Sequence, residues 1–299
     1  MKNEKTELDS LKILVCCHKP SDIPDYDFFV PVQGGAILSE HHWGIQRDDM
    51  LNEMGCENIS SKNKNYCELT VLYWAWKNIR KLYPNIKYIG LNHYRRYFST
   101  NFAITSTVEE SLGTIKDYSI DLKKVLAKLN KNRIILPKPI SFSTSLAQNY
   151  SLRHVGNDYL ILKNVYSQRY PDEVRTFNKV FEKNNKLSPF NMFIMSIDEF
   201  ENYCSWLFAI LGDVENYIDV SSYDEYQKRV YGFMAERLFN LYCYNKKTMK
   251  IPVKFYVEEH SSKKLDKLPK KIKGLVENIL TLLRTLKADV CFLINKKVV

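Results

Sequence analysis

Short runs of apolar residues alternate along the chain with longer stretches in which apolar residues recur every three or four positions. The first run covers residues 11–17 and ends in the polar pair His18-Lys19. A run this short and this apolar predicts a strand that is buried on both faces. Similar runs predict further strands over residues 86–91, 133–136 and 190–196.

The stretches with helical spacing predict amphipathic helices between these strands. Asn65 and Glu68 have the spacing of a capping box, which predicts that a helix begins at Asn65. Ser222 and Glu225 form a second such pattern and predict a helix that extends to about residue 243. Other helices are predicted over 118–130, 155–166, 171–184 and from Asp198 onward. Strands that alternate with helices predict an α/β fold.

The composition is that of a globular protein, with 45% hydrophobic and 26% charged residues among 299. No apolar run reaches 18 residues, so no membrane-spanning helix is expected. Residues 1–10 lack the apolar core of a signal peptide, and the seven cysteines show no C-x-x-C spacing. These features lead us to expect a cytoplasmic protein with reduced thiols.

The net charge of +10 is concentrated near the end of the sequence. Residues 261–299 contain ten Lys or Arg and three Asp or Glu, so they carry +7 of it. A nucleic-acid-binding domain is therefore not expected in residues 1–260. A basic segment beside the apolar stretch 275–286 suits an anionic membrane surface. A packing helix or a disordered basic end would explain the same composition.

The strongest chemical pattern is His93-Tyr94-Arg95-Arg96, which follows a predicted buried strand. Ligands of open α/β sheets bind beyond the carboxyl ends of the strands. The planar fork of an arginine makes two parallel hydrogen bonds with a phosphate group. Arg95 and Arg96 are thus candidates for stabilising the charge that develops on a departing diphosphate. A structural arginine pair, bound to carbonyls and acids, is the alternative.

Other polar residues stand at comparable positions. His18 and Lys19 end the first strand, Asn63 lies in a polar loop before a helix, and Asn191 begins the strand over 190–196. Glu236 lies on the polar face of the helix predicted from Ser222 and is a candidate base, although a structural ion pair would explain it equally. Arg237 falls on the apolar face of that helix, where a buried arginine needs an anionic partner.

Metal-binding patterns are weak in this sequence. The D-x-D pattern, Asp25-Tyr26-Asp27, does not follow a buried strand, and neither does the pair Asp48-Asp49. Chemistry without a metal is therefore favoured, with Mn²⁺ or Mg²⁺ bound near Asp48 and Asp49 as the alternative. The sequence has no P-loop, G-x-S-x-G or H-E-x-x-H motif.

These motifs together resemble a bacterial family known as DUF4422. The resemblance extends over residues 11–257 and rests on the segments 13–19, 58–63, 66–70, 73–78, 90–98, 191–195, 203–208 and 229–238. One departure is visible, because residues 53–57 read Glu-Met-Gly-Cys-Glu where the family often has Asp-x-x-Gly-Asp. Any role of that segment as an acidic ligand is thereby placed in doubt.

Members of the family occur in gene clusters for capsule and exopolysaccharide and are regarded as glycosyltransferases. The resemblance implies a GT-A-like domain with one Rossmann-type sheet, which we place over 1–260. The excess of basic residues predicts a separate basic amphipathic segment over 261–299. It implies transfer of a hexose, such as galactose in pyranose or furanose form, from a UDP-sugar to a lipid-linked oligosaccharide of capsule, exopolysaccharide or O-antigen. The enzyme would lie on the inner face of the cell membrane.

The sequence patterns, taken with this resemblance, predict a site of eleven residues. Donor-binding residues are His18, Lys19, Asn63, Glu68, His93, Tyr94, Asn191 and Arg237, and catalytic residues are Arg95, Arg96 and Glu236. The alternative function is a catalytically inactive, membrane-associated scaffold of the polysaccharide machinery.

Overall fold

The structure is a computed structural model and describes residues 10–104, 106–129 and 133–258. The basic segment predicted over 261–299 lies outside the described residues. Within those residues, no helix is both long and apolar enough to cross a bilayer.

A ten-stranded sheet forms the centre of the fold. In chain order, the strands of the described residues are β1 (Leu11–Cys17), β2 (Phe29–Gln33), β3 (Gln46–Arg47), β4 (Met50–Leu51), β5 (Met54–Gly55), β6 (Tyr88–His93), β7 (Arg96–Phe98), β8 (Thr107–Ser111), β9 (Ile134–Pro137), β10 (Ile140–Ser141), β11 (Lys186–Leu187), β12 (Phe193–Ser196), β13 (Thr248–Ile251) and β14 (Val253–Val257).

Helices cover both faces of the sheet. The α-helices of the described residues are α1 (Asn63–Tyr66), α2 (Leu69–Leu82), α3 (Leu122–Leu129), α4 (Leu146–Arg153), α5 (Gly156–Arg169), α6 (Val174–Phe181), α7 (Ile197–Glu215) and α8 (Val230–Tyr242). Short 3₁₀ turns cover Ala36–Leu38, Ser60–Lys62, Leu112–Asp117, Pro171–Glu173 and Gln227–Arg229.

Seven strands lie side by side in the order β13-β9-β12-β6-β1-β2-β3. The central strand β1 is parallel to β2 on one side and to β6 on the other, and β12 is antiparallel to β6. From β1 the chain therefore proceeds to β2 in one direction and later to β6 in the opposite direction. Such a reversal of strand order opens a crevice at the carboxyl ends of the strands, where ligands of α/β sheets bind.

Residues of β1 alternate between two hydrophobic clusters. Leu14 and Cys16 pack with residues of α2, α7 and α8, while Ile13 and Val15 pack on the opposite face with residues of α3. A strand enclosed by both layers has no solvated face, which explains the uninterrupted apolar run in the sequence. The predicted α/β class, with a central and mostly parallel sheet, is confirmed.

The first predicted capping box is wrong. The chain at Asn65 already belongs to α1, and it turns at Cys67, where φ is +52°, before α2 begins. The side-chain amide of Asn65 donates to the carbonyl of Lys228 at 2.9 Å. The side chain of Glu68 therefore does not cap a helix, and its carboxylate instead accepts a hydrogen bond from Asn191.

The second predicted capping box is also wrong. Residues after Ser222 form turns, and α8 begins only at Val230. The residue that caps this region is Asp224, whose carboxylate accepts a hydrogen bond from the backbone N–H of Gln227 at 2.7 Å. The polar residues just before α8 therefore lie on a turn, where they face a cavity.

Candidate active site

A cavity of about 470 Å³ opens at the carboxyl ends of the central strands. Four parts of the chain line it: the sheet edge, the break between α1 and α2, the turn before β12, and the start of α8. The lining residues are Cys16, His18, Gly34, His93 and Arg96 from the sheet edge, Asn63, Lys64, Cys67 and Glu68 from the break, Phe190 and Asn191 from the turn, and Glu225, Arg229, Gly232, Phe233 and Glu236 from the region of α8.

Arg96 provides the cavity with a cation that has no hydrogen-bond or ion-pair partner among the described residues. The hairpin between β6 and β7 pairs it with His93, so both side chains lie on the cavity side of the sheet. Its guanidinium carbon lies 4.7 Å from the ring of Phe190 and 4.5 Å from that of Phe255. Within the described residues it makes no hydrogen bond and no ion pair, and burial lowers its pKa. A guanidinium held in this way is prepared to bind an anion.

A strained turn before β12 connects several side chains of the cavity lining. Phe190 and Asn191 have φ angles of +74° and +52°, and such values are rare for residues other than glycine. The carbonyl of Phe190 accepts a hydrogen bond from His93 Nε2 at 2.7 Å. The backbone N–H of Phe190 donates one to Glu236 Oε1 at 2.6 Å. The amide of Asn191 donates to Glu68 Oε1 at 2.6 Å. Backbone strain of this kind is characteristic of functional sites.

His93 is held as a neutral ring. Because the carbonyl of Phe190 can only accept, Nε2 of His93 carries the proton of this hydrogen bond. Burial, followed by the positive charge of Arg96, lowers the pKa of His93 to about 4. At neutral pH its Nδ1 is therefore a hydrogen-bond acceptor.

Two carboxylates complete the polar lining. Each has one oxygen that is bound by the turn before β12, while the other oxygen makes no hydrogen bond within the described residues. Oε2 of Glu236 lies 3.8 Å from the guanidinium of Arg237. Burial raises the pKa of Glu236 above its ordinary value, and the nearby charge of Glu68 raises it further. A carboxylate with a raised pKa and an unbound oxygen is suited to accept a proton.

Asn191 allows a test of this turn. Replacing it by Ala or by Gly removes the hydrogen bond to Glu68, but only Ala must then adopt an unfavourable left-handed conformation. We expect both variants to be less stable than the parent, with Asn191→Ala about 1 kcal/mol less stable than Asn191→Gly. Urea unfolding followed by circular dichroism measures the difference. An Ala variant as stable as the Gly variant would show that the turn is not strained.

Residues 12–248 match the family described as "Domain of unknown function (DUF4422)". The chain belongs to the DUF4422 family. Among solved structures, the one described as the apo structure of WbbM, a bifunctional glycosyltransferase, has a TM-score of 0.71 and 28% sequence identity over 83% of this chain. The chain spans 46% of the WbbM chain. No curated protein gives a match. The described fold therefore resembles that of part of a bifunctional glycosyltransferase.

Seven of the eleven predicted site residues line the cavity together. They are His18, Asn63, Glu68, His93, Arg96, Asn191 and Glu236. The side chain of Asn63 lies over the turn that follows β2. Its amide donates to the carbonyl of Cys67, in the break between α1 and α2, at 2.8 Å. A Cβ atom on Gly35 would lie only 2.7 Å from the Asn63 side chain, so this turn requires glycine.

The side chains of the predicted pair Arg95 and Arg96 do not line the same cavity. The guanidinium of Arg95 is 2.6 Å from the carboxylate of Glu258, and Lys19 lies 3.4 Å from the same carboxylate. Neither Arg95 nor Lys19 belongs to the cavity lining. Tyr94 is also absent from the lining, and its ring packs edge-on against His18 at 4.6 Å. The reason is the tight hairpin turn, in which consecutive side chains point in different directions.

Arg237 also lies outside the cavity lining. It is 3% exposed, and its guanidinium donates to the carbonyl of Phe233 and to the side chain of Asn149, both at 3.0 Å. The guanidinium carbon is 4.9 Å from the ring of Tyr150. The contacts of Arg237 are therefore those of a structural residue that fixes α8 against α4.

Asp48 and Asp49, the alternative metal ligands, are bound by protein donors. Both oxygens of Asp48 accept hydrogen bonds, from the backbone N–H groups of Gly35 and Ala36 at 2.7 and 3.0 Å and from the hydroxyl of Ser60 at 2.5 Å. Asp49 forms a two-point ion pair with Arg47. The geometry assigns Asp48 to holding the loops after β2 together, and Asp48 is not among the lining residues of the cavity.

This role of Asp48 gives a stability prediction. Asp48→Ala leaves three buried donors without an acceptor, so the free energy of unfolding is expected to fall by about 3 kcal/mol or more. Asp172→Ala, at an exposed position, is the matched control and is expected to change stability by less than about 0.5 kcal/mol. Chemical denaturation compares the two. Equal effects would contradict the structural role of Asp48.

Four charged or aromatic residues of the cavity lining were not predicted from the sequence. Arg229, Lys64, Glu225 and Phe233 all face the cavity. A signal for Arg229 was present, because the helical pattern places it on the same polar face as Glu236. The others lie on turns or at helix ends, where periodicity carries no information about direction.

Proposed function

We propose that this protein transfers a hexose from a UDP-sugar to a lipid-linked oligosaccharide during the synthesis of a cell-surface polysaccharide. The observation that carries the proposal is the guanidinium of Arg96, which has no anionic partner among residues 10–104, 106–129 and 133–258 and lies in a cavity at the sheet's topological switch point. A diphosphate matches both the charge and the fork geometry of that group. The opposing carboxylate of Glu236 supplies the second chemical function that glycosyl transfer needs.

In the proposed reaction, a hydroxyl of the acceptor attacks the anomeric carbon of the donor sugar. The new bond joins the acceptor oxygen to this carbon, while the bond between the carbon and the diphosphate oxygen breaks. The electron pair leaves with UDP, and Arg96 and Arg229 stabilise its growing negative charge. The hydroxyl proton passes to Oε2 of Glu236. The neutral Nδ1 of His93 accepts a hydrogen bond from the bound substrate.

A donor screen tests the proposal. The protein is incubated with UDP-, GDP- and dTDP-sugars, and released nucleotide is measured with and without a lipid extract as the source of acceptor. Release of UDP from a UDP-hexose, increased by the extract, is the expected result. UDP binding without any release would favour the inactive scaffold, and a protein that binds no nucleoside diphosphate would refute both.

We propose that the reaction proceeds without a resident metal ion, since guanidinium groups supply the positive charge beside the diphosphate. The described residues include no group of three or more His, Cys, Asp or Glu side chains placed to hold a metal. Nucleotide release in the presence of EDTA, compared with added Mn²⁺ or Mg²⁺, decides this point. Loss of release in EDTA that either ion restores would contradict the proposal.

We also propose that the basic segment 261–299 binds the protein to the anionic inner face of the cell membrane. Its excess of positive charge is the basis of this proposal. Flotation with vesicles of phosphatidylglycerol and phosphatidylcholine, with the full chain and with a chain ending at residue 260, provides the test. Equal flotation of the two chains would refute the role of the segment.

A further inference from the structure

An exposed aromatic surface continues the cavity wall at the start of α8. Tyr226 is 52% exposed, and its ring centroid lies 5.0 Å from that of Phe233, which lines the cavity. The ring of His154 is nearly parallel to both, at 3.9 Å from Phe233 and 5.9 Å from Tyr226. We call these three rings, His154, Tyr226 and Phe233, the aromatic platform.

The contacts of His154 hold the platform in place. The amide nitrogen of Gln227 donates to the carbonyl of Arg153 at 2.9 Å, so its oxygen is the acceptor that faces His154 Nδ1 at 3.3 Å. His154 is 6% exposed, and burial, together with the charge of Arg237, lowers its pKa to about 3. The ring is thus neutral and fixed, and it supports the other two rings without adding charge.

The platform lies beside the candidate base. Phe233 and Glu236 are three residues apart on α8, so their side chains lie on the same face of the helix, one turn from each other. Oε2 of Glu236 makes no hydrogen bond within the described residues. A sugar ring in contact with Phe233 would therefore have its polar edge near a carboxylate oxygen that accepts no hydrogen bond within the described residues.

We propose that the aromatic platform is the acceptor subsite, on which the terminal sugar ring of the glycan acceptor stacks with its nucleophilic hydroxyl directed to Glu236. This inference rests on the proposed function and names the chemical class that the site receives beside the donor. Aromatic rings offer a large apolar face to the C–H side of a sugar, while nearby polar groups bind its hydroxyls.

The uracil of the donor is the competing occupant of an aromatic surface. Two features favour the sugar. Nucleotides of open α/β sheets bind against the carboxyl ends of the strands, here β1 and β2, and the platform belongs instead to α4 and the region of α8. A uracil on the platform would also place a group without a reacting hydroxyl next to Glu236.

Saturation-transfer NMR with methyl β-D-galactopyranoside and UDP tests the inference on the full chain. Removing one stacking ring in Tyr226→Ala is expected to weaken sugar binding about threefold to tenfold, while UDP affinity stays within about twofold. Tyr226→Phe keeps the ring and should retain sugar binding. Tyr217→Ala removes another exposed tyrosine, 65% exposed and outside the cavity lining, and should change neither affinity.

Three results would overturn the inference: no sugar binding by the unmodified protein, unchanged sugar affinity in Tyr226→Ala, or a loss of UDP affinity in that variant. The last result would place uracil on the platform. Because Tyr226 is exposed, its replacement is expected to preserve the fold, and circular dichroism checks this. Failure of the unmodified protein to bind UDP would contradict the proposed function instead, and the sugar titration would still decide the present inference.

Discussion

Arg96→Ala is expected to weaken UDP binding about 100-fold, which corresponds to about 2.7 kcal/mol. The guanidinium of Arg96 lies between two aromatic rings and has no anionic partner within the described residues. No protein carboxylate there offsets its positive charge, which is therefore available to a bound diphosphate. Two charge-assisted hydrogen bonds account for an effect of this size. Isothermal titration calorimetry with UDP measures it.

Two further variants separate charge from packing. Arg96→Met keeps an unbranched chain between the rings of Phe190 and Phe255 but removes the charge, so it should bind UDP as weakly as Arg96→Ala. Arg95→Ala changes the neighbouring residue, whose guanidinium is paired with Glu258, and should keep UDP affinity within about threefold. Equal losses for Arg95 and Arg96 would contradict the separation of the two side chains, and unchanged binding by Arg96→Ala would refute the diphosphate site.

Glu236→Gln is expected to lower the turnover number by about 10²- to 10⁴-fold while UDP affinity changes little. The Gln side chain can still accept the hydrogen bond from the N–H of Phe190, but it cannot take a proton from the acceptor. Released UDP under saturating donor measures the rate. Glu68→Gln is the parallel variant, because Glu68 is bound to the same turn. A larger loss in Glu68→Gln than in Glu236→Gln would transfer the role of base to Glu68.

The pH dependence of turnover provides an independent test of Glu236. A base must be ionised, and burial raises the pKa of this carboxyl above the ordinary glutamate value of 4.5. The rate of the unmodified protein is therefore expected to fall as the pH decreases through this raised pKa. The residual activity of Glu236→Gln should lack this acidic decline. An identical decline in both proteins would mean that another group causes it.

Four strands of the central sheet, β1, β6, β9 and β12, could be predicted from the sequence because burial on both faces leaves a continuous apolar run; β2, which pairs with β1, was not predicted. The end of β6 as a ligand-binding edge followed from the same argument. The different directions of the Arg95 and Arg96 side chains could not be predicted, because they depend on a tight hairpin turn that the pattern of residues 86–98 does not reveal. The short strands β13 and β14 were also missed, since they pair with strands far away in the sequence.

The organisation of the candidate site is a long-range property. Phe190 and Asn191 adopt positive φ angles although neither is a glycine, so no local signal marks the turn. Cys67 does the same between α1 and α2, and this break invalidates a capping box that was plausible by spacing. The carboxylate of Glu68 consequently meets Asn191 across 123 positions of sequence. Only the folded chain could show that contact.

A crystal structure of the protein grown with UDP would locate the diphosphate. We predict that the diphosphate lies in the cavity at the carboxyl ends of β1 and β6, with phosphate oxygens within hydrogen-bonding distance of the guanidinium of Arg96. The uracil should lie toward the sheet edge near β2, and the aromatic platform should remain free of it. A diphosphate bound elsewhere, with no contact to Arg96, would show that this cavity is not the donor site.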